Sequence, residues 1–560
     1  MNKKSFFITA AVLVLVVFGF VYLLTSFFSS SSNDEKVTNE NKKEVLADLY
    51  SDVSVSKEKA IKGQIDLNPA DVADELPDIS KFSVPVDKTT DTYVEIFSST
   101  EKSGSGSDGW LNEVATDFNN AGITVNGKKV SVKIRSIASG TATDYIRSGK
   151  YVPDAFAPSN ELWGEMVKDS GVKTTLVSKR LVGNVPGMVI SKTKYDQLKK
   201  KYGKVDVKTV TEAMAKNEFA MGYTDPFASS TGINFLVTAL HSFDQKSLLS
   251  DTAIKGFEEF QNNVPFTAST TIQMRDAAKS GALDGFVLEY QTFVNSPDLK
   301  DRYVFTPFGV RHDSPLYALG KVSDEKQQII QKFADFSQQD KYQEDAKKDG
   351  FNYLDEYKPT INTVDGATLT AAQKLWKEKK NGSKPIAAVF VTDVSGSMNG
   401  EPLKQLKQSL LKGQKYLGRD NSIGLVSYSD DVTINLPIGK YTINQQSKFV
   451  GAIESLQASG STATYDGVIV AMNMLEKKKK KNPNIRPLIF VLSDGETNQG
   501  HDLNEVKGVI GAYKIPVYTI GYNADLKELQ KVSKINEAAS INADTDDVVY
   551  KIRNLFNVQM

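Results

Sequence analysis

The 560-residue chain contains no cysteine, which excludes disulfide staples, thiolate zinc or iron–sulfur sites, cysteine nucleophiles and a cysteine-linked lipid anchor. Histidine is nearly as scarce: His241, His312 and His501 are the only three. Their wide separation excludes histidine-rich metal clusters and HExxH-type hydrolase sites. Net charge is lacking as well, because 68 lysines and arginines balance 68 aspartates and glutamates. No overall basic field exists to hold nucleic acid or an anionic surface non-specifically. There is also no GxSxG elbow and no Ser–His pairing, so the chain reads as a non-enzyme, with a hydrolase the least favoured class. At this length two or three packed domains are expected. Recognition then has to come from local sites.

What is present begins with Lys3 and Lys4 and an uncharged apolar run, FFITAAVLVLVVFGFVYLLTSFF, over residues 6–28. A helix rises about 1.5 Å per residue, so this run reaches about 35 Å and spans a hydrocarbon core of roughly 30 Å with some tilt. It is longer than the apolar region of a cleavable secretory signal. The run therefore reads as an uncleaved transmembrane anchor, with cleavage at residues 29–32 as the alternative. Lysines before it and Asp34 and Glu35 after it put a short tail, residues 1–5, in the cytoplasm and everything beyond the run outside the cell membrane. Residues 29–90 start SSSSNDEKVTNENKKE, poor in aromatic and β-branched residues, and read as a partly disordered tether. A short amphipathic stretch near residues 45–50 and the segment ADELPDISKF are the parts of it expected to fold or dock.

From Thr92 to about residue 383 short β-rich runs alternate with helical ones: YVEIFSS, WLNEVATDFNN, VSVKIRSI, TATDYIRSG and DAFAPSN open a βαβαβ pattern. Helices are expected around residues 210–216, 271–279, 327–337 and 369–379. About 290 residues exceed one ordinary core, so 91–383 reads as a two-lobed domain. A second α/β region, 384–560, has four continuous Val/Ile/Leu/Phe strands, the mark of strands buried on both faces of a mostly parallel sheet. The five lysines at 477–481 are expected in a solvated loop between a helix and the strand near Pro487.

The first buried strand of the second region runs into Asp393-Val-Ser395-Gly-Ser397. Ligands of doubly wound sheets bind beyond the carboxyl ends of strands, and this DxSxS falls at such an end. Three oxygen-bearing side chains at alternate positions converge on one hard cation, with Gly396 letting the backbone bend. Further along, Gly460-Ser461-Thr462 opens a helix and Asp494 ends the strand PLIFVLSD. Serines and aspartates ordinarily cap turns and helices in such loops. Here five positions coincide. In this order the motif parts resemble a von Willebrand factor type A domain with a metal-ion-dependent adhesion site. That resemblance covers roughly 385–560 and implies a doubly wound, Rossmann-like fold with Asp393, Ser395, Ser397, Thr462 and Asp494 as the five metal ligands. All-oxygen ligation selects magnesium, with calcium or manganese as alternatives. An open coordination position would take an acidic side chain from a protein partner. Asp430, Asp431 and Glu496 stand nearby as turn caps or partner-steering charges.

Region 91–383 resembles an extracellular solute-binding protein, the two-lobed periplasmic receptor of transport systems. The resemblance rests on the secretory context, the size and the serine-rich loops after strands. By that resemblance the candidate ligand residues are Ser98, Ser99, Ser139, Thr141, Ser159, Asn160, Asp225, Ser229, Ser230, Thr231, Glu289 and Tyr290. Hydroxyls and free amides at helix starts suit an anion, although Ser229 to Thr231 equally cap a helix, and Glu289 suits an ammonium group. Trp110 and Trp163 read as core side chains before cleft aromatics. Together the resemblances imply a membrane-anchored, extracytoplasmic binding protein of bacterial type. One domain holds a small molecule, anion or peptide and the other grips a protein partner. A regulatory or assembly subunit of a membrane transporter or channel complex is the alternative.

Overall fold

The computed structural model describes residues 37–66, 72–264, 267–268, 274, 283–382, 384–495, 497–522, 526–535, 540–543 and 548–560. The expected anchor at 6–28, its flanks 1–5 and 29–36, Glu496 and, apart from Met274, the helix expected over 271–279 lie outside the described residues. Among the described residues no helix is long and apolar enough to cross a membrane.

The C-terminal domain is built on a seven-stranded sheet in the order Val55–Lys57, Val432–Lys440, Ser422–Tyr428, Ile386–Asp393, Arg486–Ser493, Val517–Tyr522, Ser540–Ala543. The last five run parallel, Val432–Lys440 is antiparallel to its neighbour, and Val55–Lys57 runs parallel to Val432–Lys440. The continuous apolar character of Ile386–Asp393 follows from its place. Ile386, Ala388 and Phe390 join the core on one face, while Ala387, Val389 and Val391 join the core on the other. Alternate side chains of a strand point to opposite faces, so a central strand covered on both sides has to be apolar throughout. Helices Glu401–Gly413, Ile443–Ser455 and Val548–Gln559 cover the first face. Helices Thr464–Lys481, Leu503–Tyr513 and Leu526–Ile535 cover the second.

Residues 37–66 fold at the stretch near 45–50, as expected, but the rest of the segment is not the tether its polarity suggested. Helix Lys42–Ser51 buries Leu46 in the second-face core, Val55–Lys57 extends the sheet, and Gly63 exchanges hydrogen bonds with Ser447 at 2.8 and 2.7 Å. Residues 72–90 are likewise fixed, but to the other domain: Leu76 is buried, Arg135 donates to the carbonyls of Ile79 and Phe82, and Val86–Asp87 pairs with Lys128–Ser136. Low apolar content is overcome because these segments borrow cores formed by distant residues. The receptor-like domain is thus inserted into the C-terminal domain rather than preceding it.

That inserted domain has two lobes. One sheet contains Val86–Asp87, Lys128–Ser136, Thr92–Ser98, Ala155–Ala157, Leu316–Leu319 and Thr174–Ser178, and the other contains Thr267–Ala268, Met221–Thr224, Gly285–Glu289, Pro186–Ser191 and Tyr303–Pro307. The chain crosses between lobes after Ser178 and again after Pro307. The expected helices at 210–216, 327–337 and 369–379 are found as Val207–Ala215, Asp324–Ser337 and Gly366–Lys379. Helix Asp340–Lys348 and strand Val432–Lys440 were not expected from the sequence pattern. The lysines at 477–481 do not form a loop; they are the end of helix Thr464–Lys481. Cations are favoured there by the partial negative charge of a helix C-terminus.

The two domains meet along helix Val548–Gln559. Tyr550 Oη donates to Thr141 Oγ1 at 2.8 Å and Arg553 Nη2 pairs with Asp144 Oδ2 at 2.8 Å. On the other side Lys377 and Lys380 donate to the carbonyls of Phe556 and Asn557 at 3.0 and 2.5 Å. Tyr416 of the C-terminal domain also bonds Glu75 of the inserted one.

Candidate functional site

Strand Ile386–Asp393 and strand Arg486–Ser493 run side by side and in the same direction, which brings Asp393 and Asp494 to one sheet edge. The chain turns immediately after Asp393: the Ser395 amide donates to Asp393 Oδ1 at 2.9 Å, and the Gly396 amide donates to the Gly460 carbonyl at 2.8 Å. These two bonds stitch the DxSxS turn to the Gly460-Ser461-Thr462 loop. The side chains then form a chain of contacts, with Ser395 Oγ and Ser397 Oγ 3.1 Å apart and Ser397 Oγ donating to Asp494 Oδ1 at 3.0 Å. Thr462 is held beside them by its amide, which donates to Asn498 Oδ1 at 2.8 Å, while its carbonyl accepts from the Asn498 amide.

Three groups support these side chains, of which Ser493 and Tyr428 were not identified from the sequence. Ser493 Oγ donates to Asp393 Oδ2 at 2.6 Å, Tyr428 Oη lies 3.3 Å from the same oxygen, and Asp430 Oδ1 accepts from the Ser461 amide at 2.9 Å. Asp430 therefore caps the Ser461 loop, the simpler of the two roles open to it. Ser493 and Tyr428 could have been found only by pairing registers, since each is the last residue of a strand beside that of Asp393.

Burial, and next the neighbouring Asp393 carboxylate once the Ser397 hydrogen bond is set against it, hold Asp494 above its ordinary carboxylate range. Among the described residues no lysine, arginine or histidine forms an ion pair with either aspartate, and no cluster of three or more His, Cys, Asp or Glu side chains stands at metal distance. A cation at this edge would be met by two carboxylates and three hydroxyls. That donor set suits a small hard ion that keeps part of its water shell.

The inserted domain has a cavity of about 50 Å³ between its lobes, lined by Thr100, Glu101, Ser139, Ser159, Ser229 to Thr231 and Glu289. Sequence reading brought Ser139, Ser159, Ser229, Ser230, Thr231 and Glu289 to this place. Of these Ser229 also caps helix Ser230–Phe243, Ser230 Oγ accepts from Trp163 Nε1 at 2.8 Å, and Thr231 Oγ1 is buried with no partner. Trp163 is core, and so is Trp110, whose Nε1 donates to the Tyr342 carbonyl.

Six of the expected ligand residues serve other purposes. Ser98 is wholly buried behind the loop, and Ser99 Oγ is engaged by Glu101 and Lys102. Thr141 faces Tyr550 of the C-terminal domain. Asn160 caps helix Glu161–Asp169 through its Oδ1. Asp225 is buried beside the domain interface, where it accepts from the Phe227 amide at 2.9 Å. Tyr290 packs against Phe293, Phe305 and Tyr353.

The groups missed are the charged Glu101 and Lys102, whereas Glu289 was expected to suit an ammonium group. Glu101 projects into the cavity and its Oε1 accepts from both Ser99 and Ser159, so two hydroxyls expected for an anion are already given to a carboxylate of the chain. Glu289 accepts from His312 Nδ1 at 2.6 Å and from Asn184 Nδ2 at 3.2 Å. His312 Nε2 in turn faces the amide nitrogens of Asn160 and Asn234 at 3.0 and 3.1 Å, and those amides are oriented by backbone bonds. The ring therefore carries its hydrogen on Nδ1. Burial raises Glu289 above its ordinary range, as does the second carboxylate of Glu101. Burial also brings the Lys102 ammonium, which lies 3.9 Å from Glu101 Oε1, down to about 8. Two carboxylates and one buried ammonium make this a better place for a cationic group than for an oxyanion. The TEK following Ser99 was the available sequence signal.

Comparison with known families agrees with this division. Residues 103–352 match the family described as bacterial extracellular solute-binding protein, and residues 388–557 match the von Willebrand factor type A domain. Over 154 residues the chain is 32% identical to inter-alpha-trypsin inhibitor heavy chain H3 of Bos taurus, covering 25% of this chain and 17% of that one. It thus spans less than a fifth of that relative's length. Among solved structures, a von Willebrand factor type A protein from Catenulispora acidiphila matches with 17% identity and a TM-score of 0.28, covering 31% of this chain and 42% of that one. A periplasmic thiamin binding protein matches with 11% identity and a TM-score of 0.37, covering 53% of this chain and 99% of that one. The chain carries a solute-binding-like domain and a type A domain, both of binding type.

Proposed function

We propose that the protein is a membrane-anchored, extracytoplasmic binding protein. Its type A domain holds a divalent cation, magnesium first, through Asp393, Ser395, Ser397, Thr462 and Asp494, and grips a protein partner that supplies an acidic side chain. The observation that supports this reading is the linkage of Ser395 through Ser397 to Asp494 beside Asp393, with the Gly460-Ser461-Thr462 loop stitched to the same turn. Two carboxylates roughly neutralise the ion, and neutral hydroxyls leave it able to accept a further carboxylate.

The inserted domain is read as holding a small ligand, with Glu101 and Glu289 favouring an ammonium group over an anion. The ligand cavity and the domain interface share an element. Helix Ser139–Ser148 presents Ser139 to the cavity and Thr141 and Asp144 to helix Val548–Gln559. A ligand that prefers one arrangement of this helix biases the C-terminal domain by that difference in affinity.

The test of the metal reading is a thermal melt of the full chain in detergent with and without magnesium. Binding to the folded state alone raises the transition. Wild type is expected to gain several degrees and Asp393→Ala and Asp494→Ala none; equal behaviour of all three sinks the assignment. A second reading, a subunit recruiting integral membrane proteins, is favoured by one observation. Residues 37–66 make the type A domain, not the receptor-like one, the neighbour of the apolar run. Magnesium-dependent co-purification of membrane proteins with the wild-type chain, absent for Asp393→Ala, distinguishes that outcome from a soluble partner.

A further inference from the structure

We infer that the edge of the C-terminal domain opposite Asp393 docks on an anionic lipid surface and so turns the candidate metal edge away from the membrane. This rests on the reading of residues 6–28 as an anchor. Helix Thr464–Lys481 starts two residues after Thr462 and has 18 residues, so its end lies about 27 Å from the candidate metal edge. It ends in five consecutive lysines, of which 477, 479, 480 and 481 are exposed. Helix Lys42–Ser51 lies across the same end: Lys43 pairs with Glu476 at 3.5 Å and Lys477 stands over the Tyr50 ring. Lys42 donates to the Ala512 carbonyl at 3.2 Å, and the exposed Lys514 follows at the end of helix Leu503–Tyr513. These segments together hold eight lysines, at 42, 43, 477–481 and 514, against the four acids Glu40, Glu44, Asp48 and Glu476, of which Glu476 is paired with Lys43.

The occupant is indicated by where the chain leads. Val37 lies against Gly508, and only residues 29–36 separate it from the end of the apolar run. Eight residues reach at most about 28 Å when fully extended. The bilayer is thereby held within about one helix length of the lysines, at a high effective concentration. Basic side chains near an anionic leaflet attract it, within a screening distance of about 10 Å at moderate salt. Lysines in a last helical turn are also explained by the helix dipole alone. That explanation predicts no dependence on lipid.

The absence of cysteine makes a single label unambiguous. The full chain carrying Pro483→Cys, a fluorophore and either the native lysines or Lys→Gln at all five positions 477–481 is reconstituted in phosphatidylcholine vesicles with or without phosphatidylglycerol. Energy transfer to headgroup acceptors is read together with flotation in high salt. The expected result is about a twofold fall in transfer when either phosphatidylglycerol or the five lysines are removed, with flotation and magnesium stabilisation unchanged. Intact flotation with unchanged transfer overturns the docking alone. Failure of the wild-type chain to float overturns the anchor and the docking with it.

Discussion

Removing Asp144 tests whether the two domains act as one body. Arg553 is buried between Tyr416 and Tyr550, and its Nη2 reaches Asp144 Oδ2 at 2.8 Å, while its Nε and Nη1 have no hydrogen-bond partner among the described residues. Burial works against the guanidinium charge, and Asp144 more than restores it. In Asp144→Ala that charge stays buried without its carboxylate. Breaking a fully buried pair costs about 3–5 kcal/mol. The side chains here are 6% and 27% exposed, so water reaches the Asp144 side and the cost falls to about 2–3 kcal/mol. For a domain of this size that is a drop of about 5–10 °C in the transition to which the interface contributes. Differential scanning calorimetry of the full chain should show the drop and a wider separation between the transitions of the two domains. Replacing both partners, Asp144→Leu with Arg553→Met, should recover most of it, because an apolar pair leaves no orphaned charge. The reasoning is refuted if Asp144→Ala changes stability by less than about 0.5 kcal/mol, the scale of an ordinary surface substitution.

Ser493→Ala leaves all five candidate ligands in place but removes the 2.6 Å hydrogen bond to Asp393. Loss of such an outer partner should weaken magnesium binding about 10–100-fold in a calorimetric titration; unchanged affinity would show that Asp393 is oriented without it. Asp225 offers a pH dependence. Chiefly through burial its carboxyl is raised to about 6 from an ordinary 3.8, so its favourable contribution is fully present below about pH 4 and is lost as pH rises to about 6. The loss is about 3 kcal/mol. Asp225→Asn should flatten the slope of unfolding free energy between those values, and parallel curves for variant and wild type would rule the assignment out.

The candidate metal edge was legible because its parts are local. Asp393, Ser395 and Ser397 lie within one turn, and Thr462 and Asp494 each follow a recognisable strand or loop, so chain order alone brings them to one sheet edge. The groups that orient them, Ser493 and Tyr428, were not legible, because their role depends on register between strands 35 to 100 residues apart. The ligand cleft shows the reverse problem. Serine loops pointed to the right cavity, but hydroxyls at strand ends serve caps, domain contacts and internal carboxylates equally well, and only three dimensions separate Ser139 from Thr141. The decisive charges, Glu101 and Lys102, sit in a first helical turn where such residues are unremarkable in sequence.

The insertion topology was hidden for a related reason. Val55–Lys57 is three residues long with two of them exposed, too short and too polar to read as a strand. It becomes one because Val432–Lys440, nearly 380 residues later, leaves an unpaired edge beside it. This pairing has a mechanical consequence. The receptor-like domain leaves the C-terminal domain near Asp66, which Lys415 holds at 2.6 Å, and returns through Lys384, whose ammonium reaches the Asn262 carbonyl at 3.0 Å. A domain fused by one linker can swivel freely, whereas one joined at both ends and braced by helix Val548–Gln559 keeps few relative motions. The Asp144–Arg553 pair lies at that brace, between helix Ser139–Ser148 of the inserted domain and helix Val548–Gln559.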